Sequence, residues 1–212
     1  MLLLFLLFAL EKKNTTMKRF LLSFLLAIFL TASFAQTNTT FYDQLIQHAM
    51  DRTKVDITYD QSYRSMKYPG GDVPPDIGVC TDVIVRIYRK MDIDLQKEIH
   101  EDMKKALTVY RKRKNTKVID TNIDHRRVQN MMTYFDRHGT VLPITDKATD
   151  YQPGDIVCWD LGFITHIGIV VKTRTYDGGR YQVVHNIGAG PQMEDYLFGS
   201  KIIGHYRFDG KK

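Results

Sequence analysis

Two cysteines and seven histidines are available for chemistry in this chain, and position singles out three of them. Cys80 opens the run "CTDVIVRIYRKM" just after Gly78. In that run Val83, Ile84, Ile87, Tyr88 and Met91 fall on one stripe, which predicts a helix beginning at the cysteine. The free backbone amides of a helix start favour negative charge, so a sulfur there is placed to react as thiolate. Such a nucleophile also needs an imidazole. His166 opens "THIGIVV" and His185 ends "YQVVHNIG", with the turn "YDGG" between the two runs. In an antiparallel hairpin a residue early in the first strand lies near one late in the second. Alternation turns Ile167, Ile169 and Val171 away from the His166 face. The pair therefore suits a base and the group that orients it. His48, His100 and His138 fall on helices or near their ends and read as structural.

Three other readings of Cys80 stay open. A Cys80–Cys158 disulfide would close a long loop and constrain the unfolded chain by roughly 4–5 kcal/mol. Cys80 could also be an inert buried side chain, as Cys158 in "GDIVCW" reads. Zinc could be held by Cys80, His166 and His185, although no C-x2-C or H-x3-H spacing is present. No cofactor or metal is expected.

The elements that must carry these residues change period part-way along the chain. Residues 41–53, 80–91, 92–107 and 124–139 have helical periodicity, the last ending on Gly139 as a C-terminal cap. The Pro- and Gly-rich stretch 68–78 is loop. Residues 153–162, 165–173, 180–188 and 201–208 are short β-rich segments separated by turns. Helices first and strands after predict an α+β domain, with N-terminal helices packed on a C-terminal antiparallel sheet.

The N-terminus reads as a leader. "MKR" at 17–19, the apolar run after it and the small residues Ser33 and Ala35 form a secretory signal, with Met17 as start and cleavage after Ala35. A retained membrane anchor is the rival reading. Residues 36–212 then have the length of a single domain, expected to be exported to a periplasm or beyond and to act as a monomer. Without the leader, which carries Lys12, Lys13, Lys18 and Arg19 against Glu11, the formal charge falls from +6 to +3, too mild to argue for nucleic acid. The basic segment 104–117, "KKALTVYRKRKNTK", reads as a solvated helix end and loop. Its functional reading is contact with an anionic envelope polymer.

The motifs "GVCTD", "PGDIVCWD", "THIGIVV", "HNIGAGPQMEDYLF" and "GHYRF" together resemble an uncharacterised bacterial family, domain of unknown function 1287. The resemblance covers roughly residues 41–208. More distantly, the chain is similar to NlpC-type, papain-like cell-wall cysteine peptidases. That likeness implies a papain-like fold, Cys80 as nucleophile, His166 as base and His185 as the orienting residue. It also implies an upstream tyrosine at the oxyanion, for which Tyr68 stands at a suitable spacing. Where those peptidases show Asp-Cys-Ser-Gly, this chain shows Val79-Cys80-Thr81-Asp82. The implied activity is hydrolysis of an amide bond in peptidoglycan stem peptides, with a non-catalytic envelope-binding module as the alternative. Arg126, Arg127 and Arg207 match the uncharacterised family's pattern and could grip a substrate carboxylate. Asn186 and Trp159 could line the cleft. Internal pairing of the arginines and core burial of Trp159 are the competing assignments.

Overall fold

In the computed structural model, residues 39–113 and 118–211 are described. The leader expected over 1–35 and residues 114–117 of the basic segment lie outside the described residues.

Thr40 starts the first helix by a reciprocal cap. Its hydroxyl accepts the Asp43 amide at 3.2 Å, and Asp43 accepts the Thr40 amide at 3.2 Å, so two otherwise unpaired donors are satisfied. Helix α1 (Phe41–Arg52) follows and buries Leu45, Ile46 and Ala49. Two short strands, β1 (Thr58–Tyr59) and β2 (Ile77–Gly78), pair in parallel and lead into α2 (Cys80–Arg89). Helix α3 (Leu95–Arg113) runs past the expected end at Leu107, across a non-helical residue at Ala106 (φ −134°, ψ 33°). The extension is anchored by Tyr110, which is fully buried and donates its hydroxyl to Asp102 at 2.7 Å. Local periodicity breaks at Ala106, and burial of one aromatic beyond it carries the helix on.

A 3-10 turn (Asp124–Arg126) precedes α4 (Val128–His138). Gly139 ends that helix, but with extended backbone (φ −105°, ψ −175°), so it is not the left-handed cap expected. A Cβ at this position would lie 2.8 Å from the Arg207 carbonyl. The glycine is needed for close approach, not for turn geometry.

The expected C-terminal antiparallel sheet is present. Strands β3 (Thr140–Val141), β4 (Ile156–Asp160), β5 (Thr165–Arg174), β6 (Tyr181–His185), β7 (Gln192–Glu194) and β8 (Lys201–Arg207) are arranged in the order β3-β8-β4-β5-β6-β7. One face packs on the helices through Ile156, Cys158, Ile167, Ile169 and Val171. The other buries Val157, Trp159, Val170 and Val183 beneath Tyr151 and Leu197. The domain is thus α+β, helices against an antiparallel sheet. None of the described helices is long and apolar enough to cross a membrane.

Candidate active site

Cys80 is the first residue of α2 and is 5% exposed. Asp82, two residues on, accepts the Val79 amide at 2.7 Å and fixes the entry to the helix. Arg126 then clamps Asp82 with two hydrogen bonds of 2.9 Å each and donates to the Ser62 and Asp60 carbonyls at 3.1 and 3.2 Å. One buried guanidinium therefore joins the helix start, the loop after β1 and the turn before α4. Both cysteines are free thiols, so the disulfide reading is set aside. Cys158 is buried within β4 on the helix-facing side.

The two histidines meet as the hairpin predicts. His185 sits opposite Gly168, and its Nδ1 lies 2.7 Å from His166 Nε2. Gly168 makes room for this: a Cβ there would lie 2.7 Å from a Val183 methyl and 3.0 Å from the His185 Cβ. On its far side, His185 Nε2 is 3.1 Å from Glu194 Oε2 on β7. The chain His166–His185–Glu194 is longer than the expected dyad. Glu194 was not legible in the sequence, because a three-residue edge strand carries no periodic signal. Tyr196 stacks on His185 at 4.8 Å between ring centroids, and Trp159 packs against His166 at 5.7 Å.

The sulfur lies against the backbone amide of Ile167, the residue that follows His166, and the amides of Thr81 and Cys80 are also turned to it. Thiol and imidazole share no direct hydrogen bond; such bonds are commonly long until substrate is bound. Burial pushes the Cys80 thiol up to about 12, with the Ile167 amide opposing and the Asp82 charge adding to the rise. Burial, then the charge of His185, pushes His166 down to about 3. Burial thus disfavours the charged form of both groups and opposes the pull of the helix-start amides on the thiol.

Beside the sulfur opens a groove of about 450 Å³, lined by Tyr59, Gln61, Arg127, Gln129, Phe163 and Thr165 among others. Phe163, at the tip of the β4–β5 turn, is 89% exposed. Tyr59 shares the groove wall with Cys80. Its strand pairs it with Gly78, and burial, followed by the Cys80 charge, pushes its hydroxyl up to about 12. Tyr68 is elsewhere: it donates to Glu101 at 2.6 Å and packs on His100. The expectation that places Tyr68 at the site is therefore not met, and Tyr59 is the tyrosine on the groove wall. A two-residue parallel strand fixes its place, and nothing in the sequence marks such a pairing.

The other candidates separate by partner. Arg127 lines the groove. Arg126 also reaches it, but its guanidinium is committed to Asp82 and cannot also grip a substrate carboxylate. Arg207 is bound to Asp155 at 2.6 Å and to the Pro153 carbonyl at 2.9 Å, away from the groove. Asn186 is fully buried; it accepts the Gly188 amide at 3.1 Å and donates to the Gly78 carbonyl at 3.4 Å. Trp159 is core, its indole N–H on the Leu197 carbonyl at 2.9 Å. Among the described residues no group of three or more His, Cys, Asp or Glu side chains could hold a metal ion.

A helix-start cysteine and a hydrogen-bonded histidine pair are thus carried by an α+β domain of helices packed on an antiparallel sheet. Residues 46–208 match the family described as "Domain of unknown function (DUF1287)", and the chain belongs to that family. It is 48% identical over 151 residues, 71% of this chain and 73% of the relative, to "Uncharacterized protein YijF" of Escherichia coli (strain K12). Among solved structures it is similar to NlpC1 from Trichomonas vaginalis, with a TM-score of 0.44 and 15% identity over 82% of this chain. The match spans 46% of that longer protein. It is also similar to an N-acetylmuramoyl-L-alanine amidase from Bacteroides uniformis, with a TM-score of 0.44 and 12% identity over 78% of this chain and 97% of the other.

Proposed function

We propose that the protein is an exported thiol hydrolase that cleaves an amide bond, with peptidoglycan stem peptide as substrate. The observation that carries the reaction type is the Cys80 sulfur, set at a helix start against the amide next to His166, while His185 holds the other side of that imidazole at 2.7 Å. The substrate and the export rest on the sequence motifs and the N-terminal signal alone.

Because His166 Nε2 is engaged by His185, base chemistry on the Cys80 side falls to Nδ1. As the neutral thiol attacks the amide carbonyl carbon, its proton passes to Nδ1 and the S–C bond forms. Burial disfavours the charged form of both groups, so proton transfer accompanies attack. The developing oxyanion is met by the Cys80 amide and the Tyr59 hydroxyl. The C–N bond then breaks, and His166 returns the proton to the leaving amine. Water, deprotonated by His166, attacks the thioester; the acid leaves and the thiol is restored. His185 fixes the ring, with Glu194 behind it.

Burial of the sulfur favours a second reading, a non-catalytic binding module on the same groove. Purified peptidoglycan digested by wild type and by Cys80→Ala, with fragments identified by mass, decides between them. New amine termini from wild type only are the expected result. Identical fragment sets from the two proteins refute the hydrolase.

A further inference from the structure

A second cavity, about 800 Å³, opens where the C-terminal ends of α1 and α2 meet the loop 72–75. Arg86 and Arg89, on its wall, lie about 9 and 14 Å along α2 from Cys80 at 1.5 Å per residue, so this is not the groove of the candidate active site. Its charged lining is Arg52, Arg86, Arg89 and Lys90 against Asp51 and Asp72, with His48 beside them.

Both carboxylates already have partners. Asp72 Oδ2 accepts from Arg86 Nε at 2.9 Å and from Arg89 Nη1 at 3.0 Å. Asp51 Oδ1 accepts from Lys54 at 2.7 Å and from Gln47 at 3.1 Å. Arg86 is fully occupied, its remaining nitrogens on the Ile77, Val73 and Pro74 carbonyls. Arg52 is the exception. Its Nε is buried with no hydrogen-bond partner, as is the Nε of Arg89, and among the described residues its guanidinium forms no ion pair. Nor do the helix ends call for it: the Met50, Asp51 and Arg52 carbonyls are taken by the amides of Thr53, Lys54 and Val55. A guanidinium left unpaired in a half-buried site costs free energy. Burial, then the neighbouring Arg86, lower its pKa, and the Asp72 charge opposes them. Planar guanidinium groups match carboxylate and phosphate oxygens bidentately.

We propose that this cavity binds a compact oxyanion, a phosphate or carboxylate group, with Arg52 as the recruiting residue and Arg89 and Lys90 flanking it. The ligand meets the Arg52 guanidinium from the cavity side, and Val55, Val73 and Pro75 leave room for an apolar portion.

The test is thermal unfolding of the full chain in inorganic phosphate, in acetate and in chloride at matched ionic strength. A hundredfold excess over the dissociation constant multiplies the folding equilibrium constant about 100-fold. Stabilisation beyond chloride is expected from phosphate, acetate or both, and the pattern identifies the phosphate or carboxylate class. Arg52→Gln should abolish it, and Lys90→Gln should weaken it. Equal effects of all three anions on wild type overturn the proposal, as does ligand stabilisation that persists in Arg52→Gln.

Discussion

Arg126→Leu should destabilise the protein far more than loss of a surface charge would. Arg126 and Asp82 are 2% and 4% exposed, and their two hydrogen bonds of 2.9 Å form the fork geometry of a strong pair. Removing the guanidinium leaves a buried carboxylate with only the Val79 amide as partner, and strips the Ser62 and Asp60 carbonyls of their donors. Breaking one side of such a pair costs about 3–5 kcal/mol, a large share of the ~5–15 kcal/mol that holds a domain together. With a urea dependence of about 2 kcal/mol per molar, the midpoint should fall by roughly 2 M. Removing both charges in Asp82→Asn/Arg126→Leu keeps an acceptor for Val79 and should recover more than half of the loss. Urea melts followed by circular dichroism read these values. A single variant within ~0.5 M of wild type, or a double variant no better than the single, would show that the clamp does not hold the helix start as described.

Tyr59→Phe should lower kcat about 10²–10³-fold if its hydroxyl meets the oxyanion, while Tyr68→Phe leaves kcat unchanged; the opposite pattern in steady-state kinetics would return the role to Tyr68. Burial and the His185 charge hold His166 at about 3, so the base stays neutral as pH falls and the acid limb of kcat/KM should lie below pH 6.5; a limb above that value contradicts the described burial. His125 is likewise held at about 3, by burial first and then by the Arg126 and Arg89 charges. Its folded value is below its unfolded one, so the stability it allows is complete above pH ~6.5 and is lost as pH falls toward 3, at up to about 1.4 kcal/mol per pH unit. His125→Leu should remove one proton from the slope of unfolding free energy between pH 6.5 and 4, and an unchanged slope would refute this.

The outline of the fold was legible wherever one element carried its own periodic signal. The stripe Val83, Ile84, Ile87 and Tyr88 announced α2, and the alternation of Ile167, Ile169 and Val171 assigned one face of β5 to the core. The same alternation, with the turn between the strands, paired His166 with His185, because hairpin register is a local property. Glu194 and Tyr59 escaped notice since each sits on a strand of two or three residues, too short to show a period. Arg126 illustrates a different gap. Its residue type suited a substrate carboxylate as well as an internal one, and only the approach of the 124–126 turn to the start of α2 gives it to Asp82. Nor could the sequence decide whether Cys80 rests charged. A helix start argues for the thiolate, but desolvation by packing from distant parts of the chain argues more strongly against it. Residue types and spacing thus named the candidate cysteine and histidines, whereas tertiary packing set each group's partners and its distance from water, and with them the direction in which its pKa is shifted.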